Sequence, residues 1–174
     1  MTKESWQLAK NDDESLVTEF ELYLWRVFYS FIKWQEDCQQ LVNGTALDGY
    51  ELSLLHVIRM CDRPKSIYEV GRILNRTDPS NIQYGVTKLV TLGLIEKVKP
   101  EKGKKTHSYK ATKMGIAQTE KYAEARQELL LKAFKSEQMS QVDLKKVSSA
   151  LSTIRNIYEE STLRCNRIPS DFTK

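Results

Sequence analysis

Two short helical segments, each opened by its own cap, meet across a tight turn and run into a lysine-rich hairpin, and few folds accommodate that order. In the first, SIYEVGRILN, Ser66 stands three residues ahead of Glu69, the spacing of a reciprocal capping box. Ile67, Val70, Ile73 and Leu74 are expected to form its buried side. After Asn75-Arg76-Thr77, Asp78 caps the second segment, PSNIQYGVTKLVTLG, with Pro79 at the first helical position, where a missing N–H costs nothing. Ile82, Val86, Leu89 and Val90 recur at i, i+4, i+7 and i+8 and define a buried face. The opposite face carries Ser80, Asn81, Gln83, Tyr84, Thr87, Lys88 and Thr91, with no acid after the cap. Its amide, hydroxyl and cationic groups can hydrogen-bond base edges or phosphate oxygens.

Gly93 ends this helix, and LIEKVK, PEKGKKT and HSYKAT then read as strand, loop and strand, a two-stranded hairpin with a basic tip. Lys99, Lys102, Lys104 and Lys105 lie in or beside the loop, with Glu101 the only acid among them. Charge is uneven along the chain: residues 1–61 hold 5 basic and 10 acidic side chains, residues 62–113 hold 12 and 5, and residues 114–174 hold 10 and 8. A polyanion is therefore drawn to the middle segment, where neutralising phosphates releases counterions. A solvated lysine-rich surface has the same composition. Position separates the two readings, because the polar helix face lies between a capped turn and a basic hairpin, as DNA recognition requires.

The flanking segments are helical. Residues 1–14 are polar and acidic and read as a mobile arm. From Ser15 to about Val42 there is no Pro or Gly, and Leu16, Phe20, Tyr23, Leu24, Val27, Phe28, Phe31, Ile32 and Trp34 recur at helical spacing until Asn43-Gly44 stops the helix. That stripe is wider than docking on a small core needs, so burial against another chain is expected. Asp48 caps a second helix carrying Tyr50, Leu52, Leu54, Leu55, Val57 and Ile58, ordinary core material ending near Asp62-Arg63-Pro64. Beyond the hairpin, one helix is expected from Thr112 to about Phe134 and another from about Gln141 to Leu163, with Pro169 in a loose tail.

At 174 residues the chain suits one domain with helical arms. No run approaches the roughly 18 apolar residues of a membrane span, and MTKESWQLAKNDDES lacks the apolar core of a signal peptide, so a cytoplasmic location is expected. There is no glycine-rich phosphate loop and no nucleophile elbow, and His56 and His107 have no Cys or carboxylate partners at metal-ligand spacing. The chain is therefore expected to be no enzyme and to need no metal or cofactor. Cys38, Cys61 and Cys165 are too scattered for a disulfide framework, and Glu36 and Asp37 should raise the Cys38 thiol pKa.

This order of elements resembles the MarR family of winged helix-turn-helix regulators. LDGYELSLL at residues 47–55 is similar to the family's second-helix opening, with Glu51 where Gln is frequent, and NIQYGVTKLVTLGLIEK at residues 81–97 is similar to its recognition helix running into the wing. Lys88 matches a frequent arginine. Tyr84 stands where the family often has arginine, and the wing lacks the common Asp-x-Arg-Asp pattern. The resemblance covers about residues 15–165 and implies a mainly α, winged-helix fold. A DNA-reading lobe would span about 47–111, dimerisation helices would span about 15–43 and 112–165, and a tail would follow from 166. It further implies a homodimer on double-stranded DNA, with two recognition helices entering successive major grooves of a pseudopalindromic operator. Repression is the family default.

Site assignments follow from both readings. Asn81 and Gln83 are candidates for base edges, Tyr84 and Lys88 for base or phosphate, and Ser66, Lys104 and Lys105 for phosphate, with Ser80, Thr87 and Lys102 on the same surface. The aromatic cluster around Tyr23, Phe28 and Phe31, with Tyr50 and His56 nearby in sequence, has two readings. It is either dimer core, as aromatics at helical spacing usually are, or a pocket for the small aromatic or lipophilic effector to which many MarR relatives respond. A winged helix that binds protein instead of DNA is the alternative function, because one fold serves both uses.

Overall fold

A computed structural model describes residues 7–44, 47–99 and 106–167. The first six residues of the expected arm, the end of the expected tail, and Lys102, Lys104 and Lys105 lie outside these segments. Residues through Arg126 make one compact unit, and those from Gln127 make another.

The first unit begins with α1 (Asp12–Asn43), three residues ahead of the expected start. The Asn11 side chain accepts from the Glu14 N–H at 2.9 Å, and Asp12, Asp13 and Glu14 place negative charge at the positive end of the helix dipole. α2 (Gly49–Arg59) opens with a complete capping box: Asp48 accepts from the Glu51 N–H at 2.8 Å, and Glu51 accepts from the Asp48 N–H at 3.1 Å. α3 (Ile67–Ile73) has only half of the expected box. Ser66 accepts from the Glu69 N–H at 3.2 Å, but the Glu69 carboxylate turns to the Arg63 guanidinium, a cation the local spacing does not reveal. α4 (Pro79–Thr91) is capped by Asp78, which accepts from the N–H groups of Ser80 and Asn81 at 2.9 and 3.2 Å.

The hairpin strands β2 (Ile95–Val98) and β3 (Ser108–Ala111) pair antiparallel with Ile95 opposite Ala111, and β1 (Lys65–Ser66) adds a third strand at the β3 edge, giving the order β1-β3-β2. The sequence predicts two strands here, not three. β1 is too short to show as a periodic pattern, and it is held in place by the Lys65 side chain. Lys65 is fully buried, and its ammonium donates to the carbonyls of Ile58 at 3.2 Å, Arg63 at 3.1 Å and Met60. These carbonyls belong to the end of α2 and the turn after it, where Cys61 and Asp62 both adopt positive φ. Burial pushes the Lys65 pKa down.

α5 (Lys113–Arg126) returns from the sheet to pack on α1 and α2. The core lies among α2, α3, α4 and the sheet, with Leu52, Leu54, Val86 and Leu89 fully buried. The expected inward positions Val70, Ile82, Val86 and Leu89 are buried, whereas Val90 is 40% and Ile73 37% exposed. The second unit holds a π-helical stretch (Gln127–Leu131), α6 (Lys132–Ser136) and α7 (Gln141–Cys165). The single helix expected to about Phe134 is thus interrupted by a wider helical turn. α7 opens with a Ser140–Asp143 capping box and buries none of its residues.

Candidate nucleic-acid interface

α4 shows its polar side to solvent: Ser80, Asn81, Gln83, Tyr84 and Thr87 are all exposed, Tyr84 by 73%. Its seating depends on Gly85, because a Cβ there would lie 2.5 Å from Leu54 Cδ1 and 3.3 Å from Tyr50 Cε1. The missing side chain lets α4 close onto α2. Local hydrogen bonds then set the polar groups. Asn81 Nδ2 donates to Asp78 Oδ2 at 2.6 Å, and the amide oxygen of this exposed residue can still accept. Gln83 Nε2 donates to the Thr87 hydroxyl at 3.2 Å, and that hydroxyl donates to the Gln83 carbonyl at 2.8 Å. Lys88 is less exposed than its neighbours and ion-pairs with buried Glu51 at 2.5 Å.

Two concavities flank the start of α3. One, of about 210 Å³, is lined by Ser66, Tyr68, Gln83, Lys97, Thr106 and His107, so that α3, α4 and both hairpin strands face a common space. The other, of about 450 Å³, lies between Arg63, Ser66, Glu69, Lys99 and Thr106. Ser66 borders both. Tyr68, Lys97, Thr106 and His107 were not singled out from sequence; Lys97 is the one with a signal, as an outward position of an alternating basic strand. Lys110, on β3, ion-pairs with Glu96 at 3.0 Å.

The five residues grouped as an aromatic pocket sit in different surroundings. Tyr23, Phe28 and Phe31 are each more than half exposed along α1. Tyr50 belongs to the α4 side, with the Arg76 guanidinium 4.9 Å from its ring centroid and Gly85 beside it. His56 meets Tyr122 with the rings tilted 52° and centroids 4.5 Å apart, and Trp34 meets the same ring edge-on at 5.6 Å. Burial, aided by the charge of Arg126, pushes the His56 pKa down, and burial pushes Tyr122 up to about 12. Cys38 is buried nearby on α1, and its thiol pKa is raised, by desolvation rather than by the expected acidic neighbours.

Residues 47–115 match the protein family described as a winged helix DNA-binding domain. Among solved structures, FabT of Streptococcus pneumoniae in complex with DNA superposes with a TM-score of 0.65 at 17% identity, covering 83% of this chain and 98% of that one. The MarR family transcription regulator SP03579 gives 0.66 at 14%, covering 86% and 95%. The chain has the winged-helix fold of the MarR-family regulators. Staphylococcus aureus MarR, solved with salicylate and kanamycin, gives 0.66 at 17% and covers 89% and 99%. No curated protein sequence matches the chain. In this MarR-type arrangement α3 and α4 form the helix-turn-helix, and β2 and β3 the wing.

Proposed function

We propose that the chain is a non-enzymatic transcription regulator that binds a pseudopalindromic operator in double-stranded DNA as a homodimer, represses there, and is released by a small aromatic effector. The observation that carries this reading is the α4 face: exposed amides and hydroxyls with no acid beyond the cap, set between the start of α3 and the base of a basic wing. The winged-helix match over residues 47–115 and the fold shared with DNA-bound FabT support it. Asn81, Gln83 and Tyr84 would meet base edges, while Ser66, Ser80, Thr87 and the wing lysines Lys102, Lys104 and Lys105 would meet phosphates. Lys97 and His107 join the phosphate set because they line the concavity beside Gln83.

The homodimer is supported by the exposed aromatics of α1 and by α7, whose apolar Val147, Leu151 and Ile157 are all largely in solvent in one chain. The effector is supported by the fold shared with S. aureus MarR, which was solved with salicylate, and by the half-buried His56 beside Tyr122. No helix among the described residues is long and apolar enough to cross a membrane, and operator binding would place the protein in the cytoplasm.

Selection of bound sequences from a random duplex pool, at two salt concentrations and paired with a mass determination in solution, tests the reading. An enriched inverted repeat bound by a dimer is the expected result. Weak, salt-insensitive retention without enrichment would overturn it and point to a protein-binding module.

A further inference from the structure

The only charged side chain within α4 is Lys88, and it is not free. Its ammonium lies 2.5 Å from the Glu51 carboxylate, which is 5% exposed while Lys88 is 41% exposed. Glu51 is fixed independently of this pair: its other oxygen accepts from the Asp48 N–H at 3.1 Å, and its place in the first turn of α2 sets its charge at the favourable end of that helix. A buried carboxylate needs a partner, so the pair holds Lys88 more firmly than a surface ion pair would. The seat of Gly85 against Leu54, one turn earlier on α4, brings the two helices close enough for the contact. The Lys88 pKa is raised by its bond to Glu51, in keeping with an ammonium committed to that carboxylate.

We infer that Glu51 is a positioning residue that withholds Lys88 from DNA, so that the recognition helix meets the duplex with neutral hydrogen-bonding groups alone. This rests on the DNA-binding reading above and specifies how selectivity arises within it. A phosphate contact from α4 would tighten binding to every sequence alike, because counterion release is indifferent to bases. With its cation held against α2, α4 adds little to sequence-independent affinity, which falls to the wing. Asn81, Gln83 and Tyr84 at the bases then supply a larger share of the difference between operator and random DNA.

The test is anisotropy titration of a fluorescein-labelled random-sequence duplex over a salt series, with the wild type, Glu51→Gln, Lys88→Met and the double variant. Each added phosphate contact steepens the dependence of log affinity on log salt by about 0.9. Glu51→Gln keeps an acceptor for the capping box and frees Lys88, so random-duplex affinity should rise several-fold at low salt and the slope should steepen by about 0.9. Lys88→Met should leave the wild-type slope in place, and the double variant should return to it. A loosened fold would weaken binding instead, and thermal melts of each variant report that directly. A Lys88→Met slope flatter by about one unit would overturn the inference whatever Glu51→Gln does, since Lys88 would then touch phosphate in the wild type. Wild-type protein that binds no duplex at any salt would remove the DNA reading itself and this inference with it.

Discussion

The winged-helix lobe and the long helices α1 and α7 both carry apolar residues at helical spacing, and they use them in opposite ways. In α2 and α4, Leu52, Leu54, Val86 and Leu89 are fully buried, whereas Phe28 on α1 is 54% exposed and Leu151 on α7 is 47% exposed. The lobe covers its own apolar faces because three helices and a sheet converge on one cluster. The long helices leave theirs open. Periodicity therefore identifies a face that must be covered, but not the surface that covers it, and a second copy of the chain would erase the difference between the two regions.

Breaking the lobe should cost most. Leu54→Ala is expected to destabilise by about 2–5 kcal/mol in chemical denaturation, by lost transfer energy and a residual cavity. A loss below about 1 kcal/mol would mean that the lobe core collapses freely, and the contrast with the long helices would fade. On the other side, Phe28→Asp should shift the sedimentation mass from dimer to monomer, and the wild-type melting temperature should rise with protein concentration. A mass and melting temperature unchanged by both would show that the α1 aromatics remain in water.

His56 sharpens the comparison where α2 meets α5. Its pKa is lowered in the folded chain by burial first and Arg126 second, so the unfolded chain takes up the proton first as pH falls. Its share of stability is complete above the ordinary histidine pKa of about 6.5 and is lost below it, down to the folded-state value, at up to about 1.4 kcal/mol per pH unit. His56→Phe should flatten that part of the stability profile while keeping the ring contact with Tyr122; parallel profiles would contradict it. The smallest effect is expected from Ser66→Ala, about 1 kcal/mol in melting experiments, since the α3 cap keeps one hydrogen bond rather than the reciprocal pair. A loss near 2 kcal/mol would show that Ser66 also secures the β1–β3 pairing.

Much of the lobe was legible in the sequence because its signals are local. Asp48 and Asp78 cap α2 and α4 where the chain chemistry places them, Gly44 ends α1 in the left-handed conformation, and Ile82, Val86 and Leu89 face inward. The polar face of α4 followed from the same period. Legibility failed where a residue answers to something distant in the chain. Glu69 fits a capping box by spacing and binds Arg63 instead, and Tyr50, grouped with the α1 aromatics by proximity in sequence, packs against α4.

The sequence by itself determined the order of the long helices and the hairpin, the caps of α2 and α4, the inward-facing Ile82, Val86 and Leu89 and the basic character of the middle third, because each depends on neighbours within a turn or a strand. Only the tertiary structure decided that β1 joins the sheet through the buried Lys65, that Tyr68, Lys97, Thr106 and His107 share a concavity with Gln83, and that Lys88 is spoken for by Glu51. Those facts turn on which of several nearby partners a long polar side chain meets once helices have packed, and a carboxylate 37 positions away leaves no mark on the local pattern.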